Sequence, residues 1–158
     1  MSLIEKINEE AVRSLKATKS ADSVDAIEYL KIRTNVLRAV KTEVTKAETS
    51  GKSRSELNND GVIAVIRKMI KQREETAEEY ARLGAVDKQT KELTEARILT
   101  EFVPARLDEE HTRILVKGII DEQGLEGQRA IGRVMGAIKG RTDIDGGLAS
   151  KIARELLG

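Results

Sequence analysis

Cysteine and tryptophan are absent from this chain, and it has one phenylalanine, two tyrosines, one histidine and one proline. Without cysteine there are neither disulfides nor thiolate chemistry. With so few aromatic rings the interior must be built from Leu, Ile, Val, Ala and three Met, which disfavours β-sandwiches and barrels. A lone histidine with no cysteine reads as a surface residue and not as a zinc ligand, and no metal and no cofactor is expected. No apolar run approaches about 18 residues, and Met1-Ser2-Leu3-Ile4-Glu5 has no signal-peptide character, so no membrane span and a cytoplasmic location are expected. Charge of one sign is lacking too. The 28 Lys and Arg against 27 Asp and Glu give +1, so any polyanion site must come from local segregation of charge.

Charged residues make up 35% of the 158, chiefly Glu, Lys and Arg, which favour helix. Ser2 and Glu5 have capping-box spacing, and Leu3, Ile7, Ala11 and Leu15 follow as a stripe. Asp22 or Ser23 caps a long second helix from about Val24 to Thr49, with Ile27, Leu30, Leu37, Val44 and Ala47 inward and Lys31, Arg38 and Lys46 outward. Ser50-Gly51-Lys52-Ser53 breaks it, and Asn58-Asn59-Asp60-Gly61 supplies the next break or cap. A third helix carries Val62, Ile66, Met69, Arg73, Ala77 and Tyr80, and ends near Gly84. Its bases come first (Arg67, Lys68, Lys71, Arg73) and its acids second (Glu74, Glu75, Glu78, Glu79), against the helix dipole. A fourth, about Asp87 to Val103, carries Leu93, Ala96 and Leu99 and stops at Pro104.

Pro104 is the expected boundary between a helical bundle of about four helices, 1–103, and a three-helix lobe, 104–158. Asp108 caps a fifth helix with Ile114, Leu115, Ile119 and Ile120 as its apolar side, ended by Gly124. A sixth lies near Gln128–Lys139, and a seventh runs from about Gly147 to Leu157 behind Asp145. The fold class is all-α.

Chemistry is sparse along this chain. His111 reads as a surface residue near a helix start, and Asp143-Ile144-Asp145-Gly146 fails as a calcium loop because Arg154 stands where a bidentate Glu is needed. No phosphate-binding or dinucleotide loop is present, and no catalytic residue is assigned. The informative stretch is Ile131 to Arg141. Gly132, Gly136 and Gly140 fall four apart, forming a bare ridge if helical, where each glycine costs about 1 kcal/mol relative to Ala. Close approach of another helix, or of a phosphodiester backbone, would offset that; alternatively Gly140 ends the helix. Arg129, Arg133, Lys139 and Arg141 add four positive charges with no acid before Asp143, which suits phosphate. Lys68, Lys71 and Arg73 form a secondary basic surface, with Lys31, Arg33, Arg38 and Lys41 also cationic; solvated helix faces would look the same.

Three motifs carry a resemblance. Ile70-Lys71-Gln72-Arg73 through Tyr80, followed by Gly84 and Asp87, resembles the lysine-glutamine-arginine signature of YqeY-like proteins. Phe102-Val103-Pro104-Ala105-Arg106-Leu107-Asp108-Glu109-Glu110 is similar to their inter-lobe motif, and Ile131 to Ala137 with Lys139-Gly140-Arg141 resembles their glycine-rich segment. The resemblance implies the GatB/YqeY fold, a helical bundle joined to a three-helix lobe. It also implies kinship with the tail of the B subunit of glutamine-dependent aminoacyl-tRNA amidotransferases, which contacts tRNA. By carry-over Gly132, Arg133, Gly136, Lys139, Gly140 and Arg141 become tRNA contacts, and Arg129 joins them by charge. The carbon–nitrogen ligase activity with glutamine as amido donor, associated with the family, describes the holoenzyme rather than chemistry performed by this chain. One departure is plain: Ile138 runs straight into Lys139 where relatives insert about four residues, and Asp143-Ile144-Asp145-Gly146-Gly147 lengthens the following step.

The expected function is therefore a tRNA-binding or accessory module. The competing reading is a helical protein-interaction module docking through its third helix on an aminoacyl-tRNA synthetase or an amidotransferase, without RNA contact. An amidotransferase acting alone would need a glutaminase nucleophile, a tunnel and an ATP site, and none is visible in the sequence.

Overall fold

A computed structural model describes residues 1–50 and 55–158. The break expected at Gly51, Lys52 and Ser53 lies outside the described residues. Among those described there are seven α-helices and no strand, an all-α fold. They are α1 Leu3–Thr18, α2 Val24–Thr49, α3 Asn59–Arg82, α4 Val86–Thr100, α5 Glu109–Gln123, α6 Ile131–Ile138 and α7 Gly146–Leu157. A 3-10 turn, Gln128–Ala130, replaces the first turn of the expected sixth helix. No helix among the described residues is long and apolar enough to cross a membrane.

The chain divides into two compact units, Met1–Val103 and Pro104–Gly158. In the first, α1 pairs with α2 and α3 with α4, and α2 also packs on both α3 and α4. Side-chain caps start three of the four helices. Ser2 and Glu5 form the reciprocal capping box, Ser23 accepts from the Ala26 amide at 3.1 Å, and Asn58 accepts from the Gly61 amide at 2.9 Å. The core is Ile7, Ala11, Val36, Leu37, Val40, Val44, Val62, Ile66, Met69, Ile98 and Leu99, with Phe102 and Val103 packed against it.

Three residues expected on apolar faces lie outside. Leu15 is exposed, and Ser14 is buried in its place. Steps of four drift about 40° each on a helix of 3.6 residues per turn, so a stripe from Leu3 through Ile7 and Ala11 must return by three, to Ser14. Leu93 is exposed because α4 buries only Ala96, Ile98 and Leu99, near its C-terminal end. Ile114 is 64% exposed, since the inward centre of α5 is Thr112 and Val116, and a residue midway between them points outward.

Two arginines tie the bundle together through ion pairs. Arg33, its side chain 14% exposed, donates to Glu101 at 2.8 Å and reaches Glu10 at 3.5 Å, while its guanidinium lies 5.8 Å from the Phe102 ring centre. Arg73 pairs with Glu95 across α3 and α4 at 3.3 Å. Burial pushes the neighbouring Glu92 carboxyl upward, and the Glu95 charge adds to the shift.

The second unit surrounds Val116, Ala130, Val134, Ile138, Ile144, Ala149, Ile152, Ala153 and Leu157. Asp108 accepts from the His111 amide at 2.8 Å, Gly124 closes α5 in the left-handed conformation (φ 61°), and Asp145 accepts from the Gly147 and Leu148 amides. The exposed His111 ring also meets Asp108 at 2.6 Å, which raises the imidazole pKa, while the His111 amide first and the ring second lower that of the carboxyl. A folded-state pKa raised above the unfolded value near 6.5 gives stability that is full below that value and fades as pH rises through the folded one. Replacing His111 by Gln is therefore expected to destabilise the protein most near pH 5 and not at all near pH 9. Denaturant melts across pH measure this, and the NMR titration of this one histidine locates its pKa independently.

Candidate nucleic-acid interface

Helix α6 has two unlike sides. Val134 and Ile138, with Ala130 before them, are buried in the small core, so residues half a turn away must face solvent. Those are Gly132, Arg133, Gly136 and Ala137, all exposed. Arg133 is thus the one long side chain on that face. A Cβ built at Gly132 or Gly136 would meet nothing within 4 Å, and neither glycine has positive φ. Neither packing within the unit nor backbone conformation requires glycine at these two positions, although each weakens the helix.

Gly140 is different. It follows the helix with φ 86°, a left-handed turn that favours glycine, so it is not a third member of the ridge.

Of the four expected cations, three project freely. Arg129, Arg133 and Lys139 are exposed and form no ion pair among the described residues. Arg129 and Arg133, four apart, line a cleft of about 430 Å³ with Gly124, Leu125, Glu126 and Ala130. Arg141 is engaged instead. Its Nε and a terminal nitrogen donate to the two Asp143 carboxylate oxygens at 3.0 and 2.8 Å, and this hydrogen bonding holds its pKa above the ordinary guanidinium value.

Sequence reading overlooked Arg154. The Gln128 side chain donates to its carbonyl at 3.0 Å, which brings the last turn of α7 against the 3-10 turn beside Arg129. Arg154 is exposed. Its separation in sequence from Arg129 hid this proximity, and no local pattern could have revealed it.

The secondary basic surface is a correction in part. Lys68 and Lys71 are exposed, and Lys71 stands 3.9 Å from Glu75. Arg73 does not belong with them, because it is turned into the ion pair with Glu95 and only 22% of its side chain is exposed. Arg33, half-buried among Glu10, Glu101 and Phe102, likewise leaves the row of surface cations on α2. Lys68 instead borders a cleft of about 280 Å³ with Glu43, Lys46, Ser50 and Gln72, where Glu43 offsets the positive charge.

Among the described residues no group of three or more His, Asp or Glu is placed to hold a metal ion. What the site offers is an exposed backbone ridge edged by cations.

The architecture defines a two-unit, all-helical protein whose smaller unit carries that ridge. The chain belongs to the YqeY-like protein family, whose model matches residues 4–157. No curated protein matches it.

Proposed function

We propose that residues 104–158 bind tRNA through the α6 face, as an accessory module related to the tail of glutamine-dependent amidotransferases. The observation that carries this reading is the pair of glycines, Gly132 and Gly136, open to solvent between Arg129, Arg133 and Lys139. Such a surface lets a sugar–phosphate chain approach the helix backbone while the cations neutralise phosphates. Residues 104–158 contain no Phe, Tyr or Trp, so base stacking contributes nothing there. Recognition by helical RNA shape and 2′-hydroxyl contacts fits that chemistry better than reading of a single strand. The unit holds nine Lys and Arg against nine Asp and Glu, so attraction comes from this face and not from overall charge.

Filter binding of the whole chain to tRNA across a salt series tests the proposal. Retention at low salt and a steep loss with added salt are expected. Replacing Arg129, Arg133 and Lys139 together by Ala should lower the log–log salt slope by about 2 to 3. Absence of retention at low salt overturns the reading. Capture of a synthetase or amidotransferase that survives nuclease treatment, with no tRNA binding, would replace it by protein docking.

A further inference from the structure

The last turn of α7 carries Arg154 and Glu155, and the two go to opposite sides. The inward line of the helix is Ala149, Ile152, Ala153 and Leu157. At 3.6 residues per turn, positions 154 and 155 fall one on each flank of that line. Glu155, the one acid within α7, meets Arg113 of α5 at 2.9 Å, so its charge is engaged on the α5 side. Arg154 therefore lies on the other flank. It is exposed and forms no ion pair among the described residues.

The 3-10 turn meets α7 on that flank. A helix leaves its last four carbonyls without partners of its own, and the Gln128 side chain takes one of them, donating to the Arg154 carbonyl at 3.0 Å. Leu157 in the core and Glu155 on Arg113 also hold this turn, so Gln128 is not what keeps it folded. What Gln128 sets is spacing. The backbone from which Arg154 projects is tied to the residue next to Arg129, and Arg129 in turn stands four residues before Arg133 on the shared cleft. The cations that edge α6 thus continue past its N-terminal end onto a second helix.

We propose that Arg154 is a further RNA-contacting residue, holding a phosphate beside the one at Arg129, and that Gln128 is the positioning residue that joins α7 to the α6 face. The inference rests on the tRNA reading of that face. The Arg154 guanidinium offers phosphate a planar fork of N–H donors that no carboxylate among the described residues has taken. A cation in a last turn also complements the helix dipole, which is a purely structural use for Arg154. Salt separates the two uses. A dipole partner that never meets RNA leaves the salt dependence of binding unchanged, whereas each phosphate contact adds about 0.7–0.9 to the log–log slope.

Full-length wild type, R154Q, R154K, K117A, Q128M and the Q128M/R154Q double variant test it, with tRNA as probe across a salt series. R154Q keeps an unbranched polar stem on the helix and removes the charge. It is expected to lower the slope by about 0.7–0.9, and so to bind about five- to eight-fold more weakly at 0.1 M salt. R154K should keep the slope. K117A removes the same charge from an exposed residue of α5 and should leave the slope unchanged. Q128M should weaken binding about two- to three-fold in the wild-type background and add nothing to R154Q. An unchanged slope in folded R154Q overturns the contact, as does an equal fall in K117A, which would reduce the effect to overall charge. Equal losses from Q128M with and without Arg154, or no loss at all, overturn the positioning role. Wild type that binds no tRNA removes the nucleic-acid reading and this contact together. A slope that falls when Arg129, Arg133 and Lys139 are replaced, but not in R154Q, removes this contact alone.

Discussion

Replacing Gly132 and Gly136 together by Gln is expected to stabilise the small unit and to weaken tRNA binding at least ten-fold. The two effects have opposite signs for one physical reason. A side chain at either position meets open space and an ordinary helical backbone, so the folded state loses nothing by accepting it. The unfolded chain becomes less free, and the helix gains about 0.5–1 kcal/mol at each position. A bound backbone, however, would have to stand off by the length of a glutamine side chain, moving its phosphates away from Arg129, Arg133 and Lys139. Glutamine changes no charge, so lost affinity reports approach and not attraction. Thermal melts followed by filter binding on the same preparations measure both. A stabilised variant that binds as tightly as wild type would mean the glycines serve no close approach, and the cations alone would have to explain any binding. Gly140→Ala is no substitute in this experiment, because φ 86° strains any side chain there and destabilises the turn for unrelated reasons.

Much of this architecture can be read directly from residue types, because helix ends are local chemistry. Ser2 with Glu5, Ser23, Asn58, Asp108 and Asp145 each cap the helix that follows them, and Gly124 ends α5 in the one conformation that favours glycine. Burial was harder to read where a helix has more than one neighbour. Val36 and Val40 belong to the core because α2 packs on α1, α3 and α4, so its apolar arc is wider than one stripe. Charge was hardest. A guanidinium reads as a surface cation until its partner is known. Arg33 finds Glu101 and Glu10, and Arg73 finds Glu95, across distances in sequence that no spacing rule spans. Arg141 was the exception in principle, with Asp143 two residues away, but a turn geometry is needed before such neighbours can meet. The glycine pair survives this scrutiny better than the charges do: its helical spacing was legible, and its exposure follows from the burial of Val134 and Ile138 on the other side.

The small unit's own core gives the last expected result, because its stability sets whether its face can exist at all. A domain of 55 residues, 104–158, has a net stability of about 3–8 kcal/mol at the usual density of 0.05–0.15 kcal/mol per residue. Ile152 is 1% exposed at the centre of that core, among Val116, Val134, Ala149 and Ala153. Truncating it to Ala removes three methyl or methylene groups and leaves a cavity, which costs about 2–5 kcal/mol. That is a large share of what holds the unit, while the core around Ile66, Leu37 and Leu99 is untouched. Ile152→Ala is expected to unfold α5 to α7 at a temperature where α1 to α4 persist. Hydrogen exchange should show protection lost in α5 to α7 and retained in α1 to α4, and a thermal scan should show two transitions. Simultaneous loss in both units would mean that they fold as one. The same variant also assigns the binding face. If tRNA retention disappears over the temperature range in which α5 to α7 melt, the α6 ridge is the contact surface. If it persists on a bundle whose partner unit has unfolded, the RNA was held by cations such as Lys68 and Lys71, and the glycine face must be surrendered.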